Sequence, residues 1–188
     1  MITLISGTDR IDSNTFKLTK YIQSLYQDLG QETQIIDLAK VKSDMLSGPY
    51  YGGKNQPAEL QTWTQMILDS DGLVVVVPEY NGSYPGILKY FIDHMKFPDS
   101  FESRPVCFVG LGGIFGGLRP VEHLQQVFGY RNSYIFPQRV FLINVHKIFV
   151  NNEITDPLVK DLVNQQTKTF VKFVGALKTA GLTATSKK

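Results

Sequence analysis

Along this chain, short unbroken apolar runs alternate with segments whose apolar residues recur every three or four positions. The clearest run is Leu73-Val74-Val75-Val76-Val77. Its β-favouring residues show no polar alternation, which predicts a strand covered on both faces, as in the middle of a parallel sheet. Pro78 ends it. After Glu79, Tyr80, Asn81, Gly82 and Ser83, Pro85 stands where a first helical residue loses nothing by lacking an N–H. Ile87, Leu88, Phe91, Ile92 and Met95 then put an apolar stripe on a helix over 85–96. The same alternation predicts further strands over 1–6, 34–38, 105–111 and 139–145. Helices are expected over 16–29, where Leu18, Ile22 and Leu25 share a face and Gly30 closes the end, and over 57–69, where Leu60, Trp63 and Ile67 point inward. Val121, Leu124 and Phe128 mark another helix, and a last one opens at Asp156 or Pro157 and carries Leu162, Phe170 and Val174. Strand and helix alternate five times, which implies a parallel sheet with helices on both faces and right-handed crossovers.

A length of 188 residues suits one domain, expected over 1–182, with a disordered tail over 183–188. With 19% charged residues and a net charge of +2 spread along the chain, neither nucleic-acid nor membrane binding is indicated. No stretch has the length of a membrane span and the start lacks a signal-peptide pattern, so a cytoplasmic protein is expected. The single Cys107 lies in an apolar run, reads as a core residue and suits a reducing compartment. His94, His123 and His146 share no ligand spacing, so no metal site is expected. His123 reads as a surface or interface residue.

Three loops carry candidate chemistry. Ser6-Gly7-Thr8-Asp9-Arg10-Ile11-Asp12-Ser13-Asn14-Thr15 joins the first strand to a helix N-terminus, and it combines hydroxyls and a guanidinium with unpaired helical N–H groups. It reads either as an anion site or as an ordinary cap made by Ser13 or Asn14. It contains neither a Walker A ending nor a dinucleotide fingerprint. The second loop, 79–83, follows the central strand, and ligands of open α/β sheets sit at the carboxyl ends of strands. The third is Gly110-Leu111-Gly112-Gly113-Ile114-Phe115-Gly116-Gly117. Ordered glycine costs backbone entropy, so this density implies close approach of backbone to something flat. A longer aperiodic segment, 39–56, holds Tyr50 and Tyr51, which cover a ligand, reach a partner or pack on their own surface.

Pro78-Glu79-Tyr80-Asn81-Gly82-Ser83-x-Pro85-Gly86-x-Leu88-Lys89, with Ile92-Asp93 one turn later, resembles the signature of the NADPH-dependent FMN reductase family, flavodoxin-like flavoproteins that include quinone, azo-dye and chromate reductases. The resemblance covers roughly the first two thirds of the chain by motif and the remainder by architecture. It implies an α/β flavodoxin-like three-layer sandwich with a five-stranded parallel sheet in the order 2-1-3-4-5. The loops after strands one, three and four then meet at the switch point. It further implies that Thr8, Arg10, Ser13, Asn14 and Thr15 hold the FMN phosphate. Thr15 stands where the commoner family pattern has Asn, and Asn14-Thr15 resembles the Asn-Thr ending of related reductases. Asp9 has the wrong charge for that role and is expected to point outward. Pro78, Glu79, Tyr80, Asn81, Gly82 and Ser83 would pass along the flavin, and Gly110, Gly112 and Gly113 would meet its pyrimidine edge.

By the same resemblance the protein is an NAD(P)H-dependent FMN/quinone reductase with bound FMN and NADPH or NADH as donor. Hydride passes through flavin N5 to FMN, quinone or azo-type acceptors, and no catalytic side chain is required. The alternatives are a flavodoxin-type electron carrier without NAD(P)H activity and a redox-dead relative. Such carriers are usually strongly acidic, whereas this chain has a pI near 8.5. Family members are commonly dimers. A homodimer or dimer of dimers is therefore expected, with Tyr90, Phe91, Phe97 and Phe101 of the helix 85–96 and its continuation in the interface and the segment 48–53 near the flavin site.

Overall fold

A computed structural model describes residues 1–42, 45 and 55–187; the segment carrying Tyr50 and Tyr51 lies outside the described residues. In chain order the elements are β1 (Ile2–Ser6), α1 (Asn14–Asp28), β2 (Thr33–Asp37), α2 (Ala58–Leu68), β3 (Gly72–Pro78), α3 (Gly86–His94), β4 (Pro105–Leu111), α4 (Leu118–Tyr130), β5 (Tyr134–Ile135), β6 (Val140–Leu142), α5 (Val145–Ile148), β7 (Phe149–Val150), β8 (Glu153–Ile154) and α6 (Pro157–Thr179). The main sheet is parallel and runs β2-β1-β3-β4-β5, with β6 also on β4. This is the α/β flavodoxin-like order implied by the resemblance.

All residues of β1, β3 and β4 are buried, which explains why their sequences lack polar alternation. Successive side chains alternate between two cores. Ile2, Leu4, Val74, Val76 and Val109 pack under Leu18, Ile22 and Phe170 from α1 and α6. Ile5, Val75, Val77 and Phe108 pack under Trp63, Phe91, Leu124 and Phe128 from α2, α3 and α4. Cys107 is fully buried, and burial pushes its thiol pKa upward, so it is a core residue.

Two features depart from the expected pattern. The single strand expected over 139–145 is replaced by two short segments on β4, with Pro105↔Tyr134 and Val106↔Ile135 in one and Val109↔Val140 to Leu111↔Leu142 in the other. Pro137 falls in the break and brings no N–H to a ladder. The buried Gln166 of α6 compensates by donating to the carbonyls of Phe108 (3.0 Å) and Gln138 (2.9 Å). Secondly, the wide apolar arc of α3 is used largely within the chain. Phe91 and Phe101 are buried at 1% and 0% exposure, set edge-on to Trp63 and Phe128, so neither presents an interface surface. Phe97, 62% exposed, does.

Residues 183–187, expected to be part of a disordered tail, include a 3₁₀ turn, Thr185–Lys187. Thr185 donates to Glu102 (2.8 Å), and Ser186 accepts from the fully buried Arg104 (2.7 Å). Arg104 also donates to the backbone carbonyls of Ser70 and Ser100, and burial lowers its pKa to about 10. Lys187 and the N-terminal ammonium both reach Asp71 at 2.6 Å. Burial alone would raise the Asp71 pKa, but the hydrogen bonds from Lys187 and the N-terminus outweigh it and the net shift is downward. A depressed folded pKa gives stability that is present above the unfolded value and lost as pH falls through the folded one. We therefore expect the urea-midpoint difference between the wild type and Asp71→Asn to be full at pH 7 and to shrink as the pH falls from the unfolded carboxylate value through the lower folded one. A difference independent of pH would show that Asp71 acts only as a neutral hydrogen-bond acceptor. Among the described residues no helix is long and apolar enough to cross a membrane.

Candidate functional site

Three loops converge at the carboxyl edge of the sheet around a cavity of about 350 Å³. From the loop after β1 come Arg10 to Thr15; from the end of β3, Pro78, Glu79 and Tyr80; from the end of β4, Leu111, Gly112 and Gly113; and beyond β6, Val145 and His146.

The first loop leaves β1 through Gly7, whose N–H donates to Val76 O at 2.9 Å, while an added Cβ would lie 3.0 Å from that same oxygen. Asp12 adopts φ 53°, and Ser13 then caps α1 by accepting from Phe16 N at 3.1 Å. The two readings of this loop are therefore compatible. The cap satisfies one first-turn N–H, and the N–H groups of Asn14 and Thr15 still face no helical carbonyl. Arg10 is exposed, lines the cavity and has no ion-pair partner among the described residues. Thr8 is placed differently. It is fully buried, shares a 2.7 Å hydrogen bond with the Tyr80 hydroxyl and accepts from Arg10 N at 3.3 Å, so it ties two loops together and does not line the cavity.

In the second loop, Tyr80 and Ser83 exchange backbone hydrogen bonds of 2.8 and 3.0 Å across a two-residue turn. Asn81 and Gly82 have φ 51° and 77°. Left-handed conformations at both central positions suit this Asn-Gly pair, and they carry Asn81, Gly82 and Ser83 away from the cavity wall. Two side chains one turn apart on α4 hold this loop. Arg119 binds Glu79 at 2.7 Å, and His123 Nδ1 lies 2.9 Å from Ser83 Oγ. The Arg119 guanidinium also lies 3.8 Å from the Phe115 ring centroid, which adds a cation–π contact to the glycine-rich loop. Glu79, mostly buried at the cavity edge, is thus neutralised by a fixed cation.

In the third loop the glycines divide by role. Gly110 is packed from behind: a Cβ there would lie 2.7 Å from Gly117 O. Gly112 and Gly113 line the cavity, and a Cβ at Gly113 would project into open space. Their carbonyls accept from Val145 (3.0 Å) and Asn144 (2.8 Å), which brings the short α5 and His146 to the site. Sequence reasoning missed Val145 and His146, because a four-residue helix has no periodic signature.

Of the residues singled out from the sequence, the fold thus brings Arg10, Ser13, Asn14, Thr15, Pro78, Glu79, Tyr80, Gly112 and Gly113 to one cavity. Thr8, Asn81, Gly82, Ser83 and Gly110 support it from outside. Hydroxyl, guanidinium and helix N–H donors at one end suit a phosphate, and the backbone wall at the other suits a flat, hydrogen-bonding ring. The donor set therefore fits a flavin mononucleotide. Among the described residues, no group of three or more His, Cys, Asp or Glu is arranged to hold a metal ion.

A family model described as NADPH-dependent FMN reductase matches residues 1–147. An FMN-dependent NADPH-azoreductase of Staphylococcus saprophyticus is 30% identical over 126 residues, which span 66% of this chain and 66% of that protein. Its Staphylococcus aureus counterpart is 29% identical over the same shares. Among solved structures, FerB, a flavoenzyme NAD(P)H:(acceptor) oxidoreductase from Paracoccus denitrificans, superposes with a TM-score of 0.73 at 19% identity, over 93% of this chain and 97% of that one. The apo form of the NADH:FMN oxidoreductase EMOB superposes with a TM-score of 0.69 at 21% identity, over 90% and 87%. The flavodoxin of Megasphaera elsdenii also shares the fold, with a TM-score of 0.57 at 12% identity over 89% and 99%.

Proposed function

The chain belongs to the NADPH-dependent FMN reductase family, and from that premise we propose that it is an FMN-binding, NAD(P)H-dependent oxidoreductase acting on flavin, quinone or azo-type acceptors. The observation that carries this reading is the meeting of a phosphate-type cradle and a backbone-lined wall in one cavity at the sheet's switch point. Arg10, Ser13, Asn14 and Thr15 take the phosphate, Pro78 to Tyr80 border the ring, and Gly112 and Gly113 present backbone to its polar edge. Bound FMN supplies the two-electron relay between a reduced nicotinamide and the acceptor. The protein binds and orients: Thr8 and Tyr80 fix the distance between cradle and ring wall, and Arg119 keeps the Glu79 carboxylate paired.

The experiment is an absorbance spectrum of the purified protein after FMN addition and gel filtration, followed by anaerobic NADPH and then NADH. Retained flavin bands that bleach with either nucleotide are expected. Bands that bleach with dithionite alone would favour the electron-carrier reading, and no retained or titratable flavin would overturn both.

The protein is further proposed to assemble as a two-fold homodimer or a dimer of dimers. A groove of about 510 Å³ between α3 and α4 is lined by Ile92, Met95, Val127 and the largely exposed Phe97 and Tyr130. Apolar surface of this kind favours burial against a second copy. Sedimentation equilibrium is expected to give two or four times 21.2 kDa, and a lone monomer at micromolar concentration would refute it.

A further inference from the structure

A second cavity, of about 300 Å³, adjoins the phosphate end of the flavin site and shares Asn14 with it. Lys17, one turn further along α1, lines it, together with Phe149, Asn151 and Asn152 of the β7–β8 hairpin. Asn151 and Asn152 have φ 52° and 63°, the two-residue turn that reverses this hairpin. The hairpin is seated on α1 through Phe149, which is 5% exposed and set edge-on to Tyr21 at 6.2 Å. The two walls are therefore fixed relative to each other. Among the described residues the Lys17 ammonium makes no ion pair, the side-chain amides of Asn14, Asn151 and Asn152 make no hydrogen bond, and no carboxylate lines the cavity.

One ammonium and three amides with free donors and acceptors suit a phosphate ester bearing a polar heterocycle; they suit neither a hydrocarbon tail nor a cation. The shared Asn14 places this cavity where a phosphate in the cradle would end, and FMN ends there. The occupant that fits is the remainder of a molecule whose first phosphate lies in the cradle. We propose that this cavity is an adenylate annex and that flavin adenine dinucleotide binds this protein as well as FMN does, its second phosphate on Lys17 and its nucleoside against Asn151 and Asn152. The inference rests on the flavin reading of the main cavity. A phosphate-linked adenosine is also present in NADPH, so the test separates the two sources.

Flavin fluorescence titrations of the apoprotein with FMN and with FAD are made for the wild type and Lys17→Gln. FAD is expected to bind the wild type within about threefold of FMN. Lys17→Gln is expected to weaken FAD at least fivefold and to leave FMN within twofold. FAD binding more than about threefold weaker than FMN, or a variant that leaves FAD unchanged, overturns the annex while the flavin reading stands. Failure of FMN itself to bind overturns both. The KM for NADPH is measured on the FMN-loaded proteins. A rise in the variant with FAD affinity unchanged would assign the cavity to the nicotinamide donor and overturn the FAD proposal.

Discussion

Gly117→Ala is expected to lower the stability of the protein by about 2 to 5 kcal/mol. Gly117 has φ 84°, in the left-handed region that costs an alanine about 1 to 2 kcal/mol. The added Cβ would also lie 2.5 Å from Leu111 N and 2.8 Å from Gly110 Cα. Both atoms are backbone of β4, held in register by Val77↔Gly110 and Pro78↔Leu111, so relief requires moving the end of a central strand or the start of α4. Overpacking of this kind costs about 1 to 3 kcal/mol. Gly30→Ala is the control. It has φ 71° with nothing within 4 Å of the added Cβ, so only the conformational cost applies. Urea unfolding with equal slopes measures both. Equal losses in the two variants would remove the argument for close approach in the glycine-rich loop. Because Gly112 and Gly113 lie on the same loop, FMN affinity is expected to fall in Gly117→Ala and to hold in Gly30→Ala.

Arg10→Ala is expected to weaken FMN binding by about 1.5 to 3 kcal/mol, the range for hydrogen bonds to charged groups, or roughly 10- to 150-fold in Kd. The guanidinium lines the cavity and has no carboxylate partner among the described residues, so no internal ion pair competes with the phosphate. For the same reason the unfolding midpoint is expected to stay within about 0.5 kcal/mol of wild type. Riboflavin separates the phosphate contribution from the ring contribution. It is expected to bind the wild type more weakly than FMN and to bind Arg10→Ala and the wild type alike. An FMN titration unchanged by the substitution would return Arg10 to the status of a surface residue and leave the cradle to Ser13, Asn14 and Thr15.

These two substitutions test different kinds of information. The close packing at Gly117 is written partly in the sequence, since the density of glycines between 110 and 117 already pointed to backbone at close quarters. Only the fold divides the work among those glycines. Gly110 and Gly117 are packed against each other, whereas Gly112 and Gly113 face the cavity. The loop after β1 behaves similarly. Its composition names Thr8, Arg10, Ser13, Asn14 and Thr15 together, but burial turns Thr8 to Tyr80 and leaves the others at the cavity.

Local physics encodes part of this architecture. The apolar run 73–77 specifies a strand buried on both faces, Asn81-Gly82 specifies a turn with two left-handed residues, and Ser13 and Asp156 specify helix starts. Each depends on atoms within a few residues of one another, so each is legible from spacing and residue type. The motif that spans β3 and α3 identified the family for the same reason: it is contiguous. Pairings across long separations arise only in the folded chain. Thr8 meets Tyr80 across 72 residues, Glu79 and Ser83 meet Arg119 and His123 across 40, and Arg104 meets Ser186 across 82. No periodicity marks such partners, because a hydrogen bond between distant residues imposes no pattern on the residues between them. His146 reaches the candidate site, and Asn151 and Asn152 reach the neighbouring cavity, through elements of two to four residues whose conformation is set by what they pack against.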